Sequence, residues 1–76
     1  MMDEKQSLLL TRHAGRVETF DEATGLGVVA TTDGVRLPFQ CISIADGTRT
    51  ITVDIAVSFE VDFRVKRIEA VDIRPR

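Results

Sequence analysis

From Val57 to Lys66 the chain changes character at every step, with Val57, Phe59, Val61, Phe63 and Val65 set against Ser58, Glu60, Asp62, Arg64 and Lys66. Successive side chains of a strand point to opposite faces, so a period of two predicts a strand with one buried face. A helix would scatter the same residues around its circumference. Leu37, Phe39 and Cys41 alternate in the same way with Arg36, Pro38 and Gln40 over Val35 to Cys41. Pro38 has no amide donor, which assigns it to an edge strand, a bulge or a position whose donor would face solvent. Further strands are predicted from Val17 to Phe20, over Leu26 to Thr31 and from Ile68 to Ile73. In the last of these Ile68 and Ala70 change parity to Val71 and Ile73, a switch that a bulge near Ala70 explains.

Turn signals separate these segments. Asp21-Glu22-Ala23-Thr24-Gly25, Thr32-Asp33-Gly34 and Ala45-Asp46-Gly47 each end on a glycine. Gly25 is expected to supply a positive φ that Thr24 could not adopt cheaply, and Asp-Gly is a strong hairpin signal. Ile51-Thr52-Val53-Asp54-Ile55 also alternates, and reads either as a further short strand or as a well-packed segment. Phe63-Arg64-Val65-Lys66-Arg67-Ile68, with β-branched and aromatic residues and neither Gly nor Pro, predicts a stiff β ribbon with its tip near Lys66 and Arg67. Five short strands between such turns predict an all-β domain over residues 13–76. Residues 1–12 form an N-terminal extension and are a candidate for disorder.

A chain of 76 residues holds one hydrophobic core and no more. With one cysteine and one histidine there is neither an internal disulfide nor a zinc set. Cys41 reads as a small buried apolar group and His13 as a surface residue. Neither has the base and orienting group that nucleophilic catalysis needs, and Asp21 and Glu22 are turn acids, so no enzyme, cofactor or metal is expected. Leu8 to Leu10 is too short for a signal-peptide core, and no segment approaches the roughly 20 apolar residues of a membrane span, so a soluble, cytoplasmic chain is expected. The net charge of −2 divides unevenly. Residues 15–60 carry seven acids against Arg16, Arg36 and Arg49, while Arg64, Lys66, Arg67, Arg74 and Arg76 make the last part basic. Those terminal cations read either as a phosphate-contacting rim or as a merely solvated strand face.

The stretch Gly15-Arg16-Val17 with Phe20, Gly25-x-Gly27, Asp33-Gly34, Arg49-Thr50-Ile51, Val57-Ser58-Phe59-Glu60-Val61 and Val71-Asp72-Ile73-Arg74-Pro75 resembles, in order and spacing, the bacterial cold-shock domain family. The resemblance covers about residues 13–76 and implies a small five-stranded Greek-key barrel of the OB-fold type. In that family nucleic acid lies across the first three strands, on aromatic side chains that stack on bases and on a histidine. The resemblance carries this patch onto Glu18, Thr19, Phe20, Thr24, Leu26, Val28, Pro38 and Gln40. Where the family has a W-F pair and a K-G-F-G-F run, this chain reads Thr19-Phe20 and Thr24-Gly25-Leu26-Gly27-Val28. Only Phe20 keeps the family identity. Stacking contributes roughly 1–3 kcal/mol per base, so the loss of several platforms predicts weakened binding.

The expected function is weak binding of single-stranded RNA or DNA with little sequence preference, through Phe20, Leu26, Val28, Pro38, Gln40 and Thr19 with Arg16 and Arg36 nearby. The alternative is a protein-interaction or dimerisation module that kept the barrel and lost nucleic-acid binding. Its contact would be Phe63, Val65 and Ile68 on the ribbon, unless those residues are core or are covered by Leu8 to Leu10.

Overall fold

Alternation becomes strand wherever the apolar face has something to cover. The computed structural model describes residues 12–64 and 67–76, and among them five strands form one antiparallel sheet. They are β1 (His13–Asp21), β2 (Leu26–Thr31), β3 (Arg36–Gln40), β4 (Ala56–Arg64) and β5 (Arg67–Pro75), in the order β3-β2-β1-β4-β5. A short 3-10 turn over Cys41–Ser43 follows β3. The sheet curls until its edge strands β3 and β5 approach within 8 Å between Cα atoms, with no ladder joining them among the described residues.

The inner face of this curl is the core: Val17, Val29, Phe39, Ile44, Val57, Phe59, Val61, Ala70 and Ile73 are all buried. Each of the larger side chains contributes about 1.5–3 kcal/mol by leaving water. Phe39 and Phe59 supply the greatest volumes. Ile44 drops into the core directly after the 3-10 turn, held by a parallel bridge to Ile73 and by the Ala45 amide, which donates to the Ile73 carbonyl at 2.9 Å.

The turns form as their residues require. Gly25 adopts φ 73° and its amide donates to the Asp21 carbonyl at 2.8 Å, closing the β1–β2 connection. Between β2 and β3 the Thr31 hydroxyl donates to the Asp33 carboxylate and accepts from the Val35 amide, and Gly34 takes φ 94°. Pro38 lies on β3, an edge of the hydrogen-bonded sheet. The ribbon pairs Phe63 with Ile68 and Arg64 with Arg67, while Val65 and Lys66, and with them the expected tip, lie outside the described residues. Leu8 to Leu10 and the proposed disorder of the extension also lie outside them, whereas Arg12 does not.

Three expectations change, and one left open is decided. β1 begins at His13 rather than Val17, because His13 to Arg16 pair with β4, a contact from a distant part of the chain. His13 is half-buried, its ring stacked on Phe59 at 5.9 Å, and is not a plain surface residue. Cys41 is half-buried rather than buried: it packs against the core, but at the start of the 3-10 turn. Residues 51–55 take the second of their two readings, a packed segment without strand. Ile51 and Ile55 pack on the core while Asp54 turns at φ 74°, its amide donating to the Val17 carbonyl at 2.8 Å.

The parity switch in β5 is a bulge. Ser58 pairs with Arg74 and Glu60 with Val71, so β5 spends one residue more than β4 over this interval. Asp72 absorbs it at φ 50°, two residues beyond Ala70. The Arg12 guanidinium sits against this irregularity. It donates to the Ser58 and Asp72 carbonyls at 3.2 and 2.6 Å, to Ser58 Oγ at 3.0 Å, and to the carboxylates of Asp72 and Glu60 at 2.9 and 3.2 Å. Arg74 also donates to the Asp72 carboxylate, at 3.2 and 3.3 Å. These hydrogen bonds, those from Arg74 first and Arg12 after, hold the Asp72 carboxyl below the usual carboxylate range.

Candidate nucleic-acid interface

A second bulge determines what β1 presents to solvent. Val17 pairs with Val29 and Thr19 with Val28, leaving Glu18 as the extra residue. On a regular strand Val17 and Phe20 would face opposite ways. The inserted residue turns both to the core, and sends Glu18 and Thr19 outward together.

The outer face of β1, β2 and β3 is therefore built of cross-strand rows. Arg16, Ala30 and Arg36 form the first, Thr19, Val28 and Pro38 the second, and Asp21, Leu26 and Gln40 the third. Seven of the eight candidate residues share this face: Thr19, Leu26, Val28, Pro38, Gln40, Arg16 and Arg36. Leu26 is 51% exposed, while Val28, Pro38 and Gln40 are half-buried. Their middle is an aliphatic floor of Leu26, Val28 and Pro38, without an aromatic ring on which a base could stack.

Phe20 is not part of that floor. It pairs with Gly27, and on the core side its ring lies parallel to Phe39 at 5.8 Å, with 6° between the planes. Gly27 makes room for the Phe39 ring, since a Cβ there would stand 2.5 Å from Phe39 Cζ and 2.6 Å from the Thr19 carbonyl oxygen. Phe20 remains half-buried, at the rim of the core beneath the sheet.

The cations of the face are not equivalent. Arg36 Nε stands 2.9 and 3.1 Å from the two carboxylate oxygens of Glu18. Arg16 is exposed and makes no ion pair among the described residues. It also lines an open groove of about 510 Å³ with Gly15, Thr31, Asp54 and Arg76. Gln40 Nε2 donates to Glu69 Oε1 of β5 at 3.5 Å, across the approach of the two sheet edges. With Glu18 and Asp21 set against Arg16 and Arg36, the formal charge of the face is balanced.

The ribbon residues form a separate region. Phe63 and Ile68 oppose each other on β4 and β5 and are half-buried, and Ile68 packs against the core. Val65 lies outside the described residues. An apolar hollow of about 140 Å³ opens beside Ile68, between Val61, Leu37 and Val35, with His13 and Asp33 on its rim. Among the described residues no group of three or more His, Cys, Asp and Glu is arranged to hold a metal ion. No helix among them is long and apolar enough to cross a membrane.

Thr24 stands in the β1–β2 turn, where its hydroxyl accepts from the Leu26 amide at 3.3 Å, and so lies at the margin of the face. Glu18 is the residue of this face whose pairing the sequence concealed, because its partner depends on the bulge. No protein-family model matches the chain, and no curated protein matches it significantly.

Proposed function

We propose that this chain is a cold-shock-like OB barrel domain that binds single-stranded RNA or DNA weakly, with little sequence preference, on the outer face of β1, β2 and β3. The observation that carries the reading is the shared outer face, where an aliphatic floor of Leu26, Val28 and Pro38 adjoins Arg16 and Arg36. A barrel is supported by the strand order with β1 at its centre and by the approach of β3 to β5. Exposed apolar surface can receive bases by contact, and guanidinium groups neutralise phosphates. Low affinity follows from the chemistry of the face. Its floor cannot stack, Phe20 is turned to the core, and the cations are matched by Glu18 and Asp21. Little sequence preference follows as well, since Thr19 and Gln40 are the only neutral hydrogen-bonding side chains among the three cross-strand rows.

A test uses fluorescence anisotropy of an end-labelled oligothymidine at low salt. The native chain should bind weakly, and Leu26→Phe, which restores one stacking platform at an exposed position, should tighten binding about tenfold or more. Equal or weaker binding by this variant would argue against bases on the floor.

A second reading, a protein-interaction or dimerisation module, is favoured by the inward turn of Phe20, which leaves an aliphatic surface suited to a polypeptide. Phe63 and Ile68 on the ribbon are its other candidate contact. Sedimentation across a concentration range separates this reading. A monomer unaffected by Phe63→Ser would remove the ribbon dimer.

A further inference from the structure

The ion pair on the outer face is formed by the one residue of β1 that has no cross-strand partner. Glu18 is the inserted residue of the bulge, between the pairs Val17–Val29 and Thr19–Val28. Arg36 stands on β3, separated from β1 by β2, and the intervening position of its row is the small residue Ala30. The carboxylate nonetheless reaches it, with both oxygens within 3.1 Å of Nε. Such a pair is a poor staple. The Arg36 side chain is 71% exposed and that of Glu18 35%, and ion pairs so open to water contribute at most about 1 kcal/mol. What the pair does change is the availability of Arg36, since a carboxylate offers a guanidinium the same acceptor oxygens as a phosphodiester.

We infer that Glu18 acts as an internal competitor for the phosphate site of Arg36 and sets the affinity of the face for a single strand. This rests on the nucleic-acid reading above. A bound strand must displace the Glu18 carboxylate from Arg36 before its own phosphate can take that guanidinium. Arg16, on the same face and lining the same groove as Glu18, makes no ion pair among the described residues. Removing the Glu18 charge frees Arg36 and takes the formal charge of the face from balanced to positive. Because Glu18 is inserted between registered pairs, its replacement by the isosteric amide leaves every ladder contact of β1 in place.

The test measures anisotropy of a labelled oligothymidine against salt concentration for the native chain, Glu18→Gln, Arg36→Met and the double variant, each checked for an unchanged melting temperature. Glu18→Gln should tighten binding about 3- to 10-fold at low salt, as one released charge contact implies. It should steepen the slope of log K on log salt by about 0.7, the increment for one further neutralised phosphate of a single strand. In the Arg36→Met background the same substitution should leave the slope unchanged and alter affinity less than twofold. Binding by the native chain that Glu18→Gln does not alter would overturn this inference alone. So would an equal gain in the absence of Arg36, which would make Glu18 a general repulsive charge. Failure of all four proteins to bind at any salt would overturn the nucleic-acid reading itself, and this one with it.

Discussion

Arg12 shows how much a single guanidinium can fix when the backbone around it is irregular. The bulge in β5 disrupts the β4–β5 ladder beside Ser58 and Asp72, and the planar fork of Arg12 takes up both carbonyls together with two carboxylates and a hydroxyl. Charge-assisted hydrogen bonds are the stronger ones, although partial exposure reduces their worth. Arg12→Ala is expected to lower unfolding free energy by about 1–2 kcal/mol, read from the urea midpoint at constant m value. Arg12→Lys should recover little of this, because an ammonium cannot span the same acceptors. Asp72 gives the cluster a pH dependence. Its carboxyl is held below the usual range in the folded chain, so the stability it contributes is present above the ordinary carboxylate value of about 4 and is lost as pH falls through the lower, folded value. Asp72→Asn should flatten the acid limb of the stability curve, as followed by denaturant midpoints between neutral and acidic pH.

At the scale of elements, β1 is the strand on which the molecule depends, since it pairs with β2 over Gly15 to Asp21 and with β4 over His13 to Arg16. Its close neighbours leave no space. A Cβ at Gly15 would lie 2.1 Å from the Ala30 carbonyl oxygen, and one at Gly27 would strike the Phe39 ring. Gly27→Ala is therefore expected to cost about 1–3 kcal/mol by overpacking and to change the aromatic proton shifts of Phe39 and Phe20. Strands were legible from alternation because period two is a property of the backbone: Val57, Phe59 and Val61 all reach the core. Bulges were half legible. The parity change after Ala70 pointed to one, and the structure locates it at Asp72. The equivalent sign in β1 is the spacing of Val17 and Phe20, two inward residues three apart, which the family resemblance masks by giving Phe20 a surface position. The pairing of His13 to Arg16 and the coil over 51–55 could not be read locally, for both depend on where β4 comes to lie.

For the whole molecule, the strand order brings together residues that the chain separates: Arg16, Leu26 and Gln40 meet on one face only because β1 is central and β3 folds back over β2. That face was legible from order and spacing, apart from Phe20 and the Glu18–Arg36 pair. Both exceptions trace to one inserted residue, whose effect on parity reaches every side chain after it. The proposed role assigns affinity to charge and apolar contact rather than to stacking, so binding should weaken steeply with salt. The most direct measurement is a heteronuclear NMR titration of the chain with a short oligothymidine at low and at high salt. The account predicts amide shifts grouped on Thr19, Leu26, Val28, Arg36 and Gln40 that fade as salt is added. Shifts grouped instead on Phe63 and Ile68, or none at millimolar oligonucleotide, would contradict it.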